Sequence, residues 1–399
     1  MLNSLKLYSK YFLKSALSPE RKYVLHDLKR FWLKKNVFKQ DFTFSDKEKK
    51  AALSNAINWL ITAQQVNTDG GMGSYHLINK WSSSYPETTG YIIPTLINFG
   101  KNNNNSTAID AALKAADFLL SIQKESGGWQ GGRVSENRPE IVFNTGQVIR
   151  GMIAAYRQTG NKSYLDSASR AGKWLAAVQH PEGFWKKHAL MESPRVYDTF
   201  VDAPLIELCL IDGEEQLKAA AVRNLDWVIS EKMHDNGWFE DCDNTIKRND
   251  RPILHTIAYT LDGLIDCGLM LNEEKYIAAV KSGAEKLRQM FVFHGFLHGR
   301  FDRNWKGSEY MICTGCAQIS NIWLKLYRVT GEKSWLEAAI KMINLLIFIQ
   351  SRNVPADNNT FGAIPGSFPL WGRYEPFAFP NWATKFFCDA LLLEEEVIK

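Results

Sequence analysis

Lys114 to Trp129 reads KAADFLLSIQKESGGW, and Arg170 to Trp185 reads RAGKWLAAVQHPEGFW. Both follow one template: a basic residue and Ala, an aromatic–Leu pair, Gln five residues after the aromatic, then Gly-x-Trp. A repeat at fixed spacing is the signature of a modular architecture, and further copies of this template run through the chain. A third copy, NAINWLITAQQVNTDGGMG, starts at Asn55, and a fourth, NLDWVISEKMHDNGWF from Asn224, lacks the Gln. Weaker copies start at Gly283 (GAEKLRQMFVFHGFLHG) and Lys341 (KMINLLIFIQ). The aligned positions are Trp59, Phe118, Trp174, Trp227, Leu287 and Leu345, with gaps of 59, 56, 53, 60 and 58 residues.

Each repeat opens with an Ala-rich amphipathic helix, passes through a Gly-rich turn and a variable loop, and ends with a second, more apolar helix. The second helices are expected at 85–100, 144–160, 198–213, 255–268, 314–331 and 380–395. Five of the six end at Gly, which suits a left-handed C-cap. A polar face on the first set and apolar residues nearly all round the second predict an outer and an inner layer. Six outer–inner hairpins closing on themselves make an all-α (α/α)6 toroid. The expected organisation is a basic N-terminal extension over residues 1–44 and one toroid domain over residues 45–399.

The 399 residues carry a formal charge of +5, with 45% hydrophobic side chains. That apolar share excludes a disordered chain. No stretch approaches the ~18–20 apolar residues of a membrane span, and Lys residues interrupt any h-region at the N-terminus. Residues 1–40 hold ten Lys/Arg and two acids, a net of +8, which leaves −3 for the body. The basicity therefore fits contact of residues 1–40 with an anionic membrane surface or an assembly complex, and nucleic acid is not needed to explain it. Cys209, Cys267 and Cys388 lie in apolar helical segments, as free thiols do in a reducing compartment. Cytoplasmic location, peripheral to an inner membrane, is the expectation.

The repeat template resembles the QW repeat of the squalene and hopene cyclase superfamily. The near-duplicate turns YRQTGNKSYLDSA (from Tyr156) and YRVTGEKSWLEAA (from Tyr327) resemble those of six-hairpin glycosidases. More specifically, SYPETTGYIIPTL (84–96) and GSFPLWGRYEPFAFPNWATKFFCDALL (366–392) resemble a squalene-cyclase-like family associated with bacterial capsule, exopolysaccharide and O-antigen biosynthesis. That resemblance implies a role with surface glycans. A short stretch, YDTFVDAPLIEL, resembles the inner-helix region that carries the catalytic Asp of unsaturated glucuronyl hydrolases.

In such a toroid the inner-helix N-termini and the loops feeding them line one mouth of the funnel, where helix dipoles favour anions. The candidates for acid/base work there are Asp202, His255, Glu87, Tyr310 and Tyr374. Those for holding substrate are Tyr85, Asn144, Gln147, Tyr197, Asp198, Arg300, Trp305, Trp371, Asn381, Trp382 and Lys385. The feeding loops are also rich in Arg, at 133, 138, 195, 248, 251, 300, 303 and 373, and guanidinium matches carboxylate bidentately, so an anionic sugar is the expected partner. Bland roles compete: Ser84-x-x-Glu87 reads as a capping box, and Asp198 and Thr314 as N-caps. Cys313-Thr-Gly-Cys316 is a single CxxC, too little for zinc, and neither metal nor cofactor is expected.

Three functions follow. The first is an enzyme acting on a uronate-containing glycan. Hydrolysis would use Asp202 with Glu87. β-Elimination or C5-epimerisation would use Arg300 or Asn381 to neutralise the uronate, and His255, Tyr310 or Tyr374 to move the proton. The second is a non-catalytic glycan-binding or scaffold protein. The third is a terpenoid or polyprenyl cyclase, for which the nearest acid motif is Asp241-Cys242-Asp243-Asn244.

Overall fold

The computed structural model describes residues 21–30, 40–350 and 359–399, with Ser9, Leu13 and Phe38. Most of the basic N-terminal segment therefore lies outside the described residues. A short helix, α1 (Arg21–Leu28), is followed by twelve helices that alternate outer and inner: α2 (Asp46–Gln65), α3 (Pro86–Asn102), α4 (Ser106–Ser121), α5 (Val142–Thr159), α6 (Lys162–Val178), α7 (Thr199–Asp212), α8 (Glu215–Trp227), α9 (Leu254–Leu271), α10 (Glu274–His294), α11 (Cys313–Thr330), α12 (Lys333–Ile349) and α13 (Asn381–Ile398). The inner helices pack in the order α3–α5–α7–α9–α11–α13, and α13 returns to α3 and α2, closing an (α/α)6 toroid. Inner helices are buried almost throughout, as in α9 from Leu254 to Leu264.

The structure explains the Gln, the basic residue, the Gly and the Trp of the template. Gln123 Nε2 donates to the Gly127 carbonyl of its own turn (2.8 Å) and to Ser167 O of the next outer helix (2.9 Å). Gln179 does the same to Gly183 O and Ala220 O, and Gln64 to Gly70 O and Ala111 O. Gln350 joins Gly362 O to Ala52 O, so the last repeat is stitched to the first. The basic residue of the following repeat completes the joint, Arg223 donating to Gln179 Oε1 at 2.7 Å and Arg170 to Gln123 Oε1. The turn glycine is required twice over: Gly183 has φ +98°, and a Cβ there would lie 2.4 Å from the Arg223 carbonyl. The tryptophan of Gly-x-Trp closes its own hairpin, Trp129 Nε1 donating to Leu119 O and Trp185 Nε1 to Leu175 O. Where the fourth copy lacks Gln, α8 runs into one π-helical turn, Val228–Lys232.

Three inner helices end in the expected left-handed glycine: Gly160, Gly213 and Gly331. Gly100 and Gly268 lie inside their helices. A Cβ on either would meet the returning outer helix, 2.5 Å from Ile109 Cγ1 and 2.9 Å from Ile277 Cγ1. Close hairpin packing, not capping, selects glycine there, and Asn272 takes the left-handed cap of α9. The feeding loops also hold two-residue strands, too short for alternation to reveal. Tyr75–His76 pairs with both Lys80–Trp81 and Ala378–Phe379, joining the first loop to the last.

The described part of the extension is docked. Tyr23, Val24 and Asp27 of α1 are buried. Asp27 accepts from the Leu370 amide at 2.8 Å, and the Tyr23 hydroxyl lies 2.6 Å from Thr360 Oγ1. Among the described residues no helix is long and apolar enough to cross a membrane.

Candidate active site

A cavity of about 380 Å³ opens at the inner-helix N-termini. It is lined by Tyr85, Glu87, Thr88 and Tyr91 around the start of α3, by Phe143 and Asn144 of α5, and by Tyr197 ahead of α7. His255, Thr256 and Tyr259 of α9 and Trp382 of α13 complete the inner wall. The rim comes from the 131–141 loop, Leu190, Asn244, Tyr374 and Glu375.

Glu87 is the carboxyl on the inner wall. Its neighbour Tyr85 donates a hydrogen bond to Oε2 at 2.7 Å. Burial pushes Glu87 up to about 7, because desolvation penalises the charged form more than the tyrosine bond favours it. The capping box expected here does not form. Tyr85, not Ser84, occupies the N-cap without a side-chain cap bond, and Ser84 Oγ donates to Asp69 instead. Glu87 is thereby left to the cavity.

His255 stands across the funnel, since α9 lies opposite α3 in the inner ring. Its Nδ1 is 2.6 Å from Gln318 Oε1 of α11. An amide oxygen only accepts, so Nδ1 carries the proton and Nε2 keeps a lone pair. Burial lowers the imidazole to about 4, and the ring is neutral at physiological pH. Aromatic rings surround the pair: His255 lies 4.4 Å from Tyr259 and 5.6 Å from Tyr374 between centroids. Trp382 Nε1 donates to the Tyr374 hydroxyl at 2.8 Å, and its ring stands edge-on to Tyr85. Burial raises the tyrosines, so they are hydroxyl donors throughout the physiological range.

Among the residues expected to act, Glu87, His255, Tyr374, Tyr85, Asn144, Tyr197 and Trp382 line this cavity. The others do not. Asp202 is fully buried behind the wall with neither oxygen hydrogen-bonded, and burial followed by the Asp198 charge holds it well above the carboxylate range. Asp198 sits at the N-cap of α7 without a side-chain cap bond, pushed up to about 8 by burial. Gln147 is turned onto its own helix and bonds Arg150. Arg300 is buried against Asp243, contacting both carboxylate oxygens at 3.2 Å, so the guanidinium is spent on structure. Asp243, held in the same contact and accepting from Thr245 on Oδ2, does not line the cavity. Asn381 bonds the Met72 and Gly73 carbonyls, Trp305 bonds Asn236 O, and Lys385 pairs with Asp389 at 2.6 Å. Trp371 packs against the core, and Tyr310 is exposed away from the cavity. Thr314 lies within α11, whose N-cap is Ile312. Cys313 and Cys316 are buried, and no group of three or more metal-ligating side chains occurs among the described residues.

Tyr91 and Tyr259 escaped the sequence reading although a signal existed. Each follows a chosen residue, Glu87 or His255, by four positions, one helical turn deeper on the same face.

No protein-family model matches the chain. Its fold is shared with solved sugar-acting proteins at low identity. An unsaturated glucuronyl hydrolase specific for heparin superposes with TM-score 0.69 at 16% identity, covering 89% of this chain and 98% of that one. A cellobiose 2-epimerase from Bacillus thermoamylovorans gives 0.69 at 14%, covering 88% and 98%. An unsaturated glucuronyl hydrolase from Streptococcus agalactiae gives 0.66 at 12%, covering 92% and 94%. At these identities the likeness establishes the (α/α)6 toroid, and the chemistry has to come from the site itself.

Proposed function

We propose that this protein is a carbohydrate-active enzyme that binds an anionic, uronate-containing glycan and transfers protons at opposite faces of one sugar. The observation that carries the reading is the facing pair in the cavity: Glu87, a carboxyl raised to about 7, and His255, a neutral imidazole with Nε2 available. Near neutral pH one can give a proton and the other can take one, which is the arrangement acid/base catalysis needs. The aromatic rings lining the cavity suit sugar faces, and Arg133 and Arg138 at the rim suit a carboxylate. The solved proteins that share the fold include hydrolases of unsaturated glucuronides and a sugar epimerase.

Hydrolysis is the first form of this chemistry. Glu87 protonates the departing oxygen while His255 activates water on the far side, and both groups are already in the required protonation state. C5-epimerisation is the second, favoured by the same two-sided placement of donor and acceptor. A pair of Asp202 and Glu87 is not supported, since Asp202 does not line the cavity. The toroid of residues 45–399 is the working unit in this reading, with residues 1–44 as an accessory segment for a membrane surface or assembly complex. Surface-polysaccharide assembly in the cytoplasm is the proposed setting, resting on the resemblance of 84–96 and 366–392.

Incubation with saturated and unsaturated uronate disaccharides in D2O tests the reading. New reducing ends report hydrolysis, and deuterium at the sugar carbon reports epimerisation. Glu87→Gln is expected to lower either rate by at least about a hundredfold while substrate still binds. Full activity in that variant would sink the proposal. Binding without turnover by the wild-type protein would leave a glycan-binding protein instead.

A further inference from the structure

The rim loop that carries Arg133 and Arg138 is built with its own carboxylate between them. Glu136 Oε2 lies 2.6 Å from Arg138 Nε, and Glu136 Oε1 lies 3.8 Å from Arg133 Nη1. All three side chains line the cavity. The loop backbone is fixed independently of this triad. Gln130 Nε2 holds the Arg133 carbonyl at 2.8 Å, and Lys124 Nζ holds the Arg138 carbonyl at 3.1 Å. The Val134 amide donates to Ser84 O at 2.9 Å, just ahead of Tyr85 and Glu87. The guanidiniums are therefore placed in register with the acid. Gly132, at φ +67°, lets the carboxylate fold back onto the turn: a Cβ there would lie 2.4 Å from Glu136 Oε2.

We propose that Arg133 and Arg138 form the subsite for the carboxylate of an acidic sugar, and that Glu136 fills it as an internal surrogate until such a sugar displaces it. The inference rests on the glycan reading above and adds where the acidic group binds and what competes for it. Displacement is cheap, because these side chains are 30–56% exposed and an ion pair in water holds weakly. It is also selective. A neutral sugar offers nothing to replace the Glu136 charge, whereas a carboxylate restores both contacts and leaves Glu136 to solvent. The loop thus discriminates by charge without any backbone movement.

The test is calorimetric titration of cellobiouronic acid and of cellobiose, which differ only in a carboxylate replacing one hydroxymethyl group, into the wild-type, Glu136→Gln and Arg138→Ala proteins. Glu136→Gln is expected to bind the acidic disaccharide about two- to fivefold more tightly, with cellobiose unchanged, the range that loss of one exposed ion pair allows. Arg138→Ala is expected to weaken the acidic disaccharide about tenfold and leave cellobiose alone. Unchanged acidic affinity in Glu136→Gln overturns the proposal, as does equal tightening of both sugars or absence of acidic binding to wild type and Glu136→Gln alike. Urea midpoints of the variants confirm that each is folded. Titration reads binding without turnover, so the subsite can stand where the catalytic reading fails. A glycan enzyme whose acidic affinity ignores residue 136 is the opposite result.

Discussion

Replacing Glu87 with Gln should change how stability depends on pH, and the size of the change follows from its burial. In the folded protein the carboxyl titrates at about 7, against an ordinary value of 4.5. Between those two values the native state holds a proton that the unfolded chain has released. Stability from this group is therefore fully present below pH 4.5 and is lost as pH rises through 7. An interval of about 2.5 pH units at about 1.4 kcal/mol each gives about 3.5 kcal/mol. Other buried groups titrate too. His255, lowered to about 4, gains stability as pH rises through its window, and Asp198, raised to about 8, loses it. Only the difference between wild type and Glu87→Gln isolates Glu87, because the amide keeps the shape and does not ionise. Apparent unfolding free energies from urea titrations, followed by tryptophan fluorescence at pH 5, 6, 7 and 8, give that difference. Between pH 5 and pH 8 wild type should lose about 2.5 kcal/mol relative to the variant. A difference constant to within about 0.5 kcal/mol over this range would refute the argument that burial holds the proton on Glu87.

Two further outcomes follow from the scaffold. Gln123→Ala removes the joint between the second and third repeats, leaving the Gly127 and Ser167 carbonyls without their shared donor. It should cost about 2 kcal/mol by chemical denaturation. Asp243→Ala removes the carboxylate that the buried Arg300 guanidinium contacts through both oxygens, leaving it Glu309 at 3.4 Å and the Arg251 carbonyl. The expected loss is about 2–3 kcal/mol, seen as a lower urea midpoint. An Asp243→Ala protein of native stability would show that the contact does not hold these loops together.

The repeat period and the amphipathic pattern were enough for the toroid, because each hairpin solves the same local problem. An outer helix must show one polar face, an inner helix none, and closure buries what a single hairpin cannot. The inner helix expected at 198–213 is found at Thr199–Asp212, and that at 314–331 at Cys313–Thr330. Glycine was harder to read. The same residue caps α11 at Gly331 and admits a neighbour at Gly268, and sequence alone does not separate a left-handed φ from a close approach.

The site divides along a related line. Position near an inner-helix N-terminus is a property of the chain, and it sufficed to select Glu87, His255, Tyr85 and Trp382. Direction and pairing are properties of the assembled ring. Arg300 and Arg133 look alike in sequence, each a loop arginine ahead of an inner helix. Only the fold gives Arg300 a buried Asp243 and turns Arg133 to the cavity. Asp202 and Glu87 both fall in a first helical turn, yet Asp202 is sealed behind the wall and Glu87 faces the space between α3 and α9. The sequence by itself thus determined the ring, its period and the mouth where chemistry can occur, since those depend on residues close along the chain. Which side chains meet there was decided by tertiary structure, because the partners that neutralise or desolvate a charge come from repeats far apart in sequence.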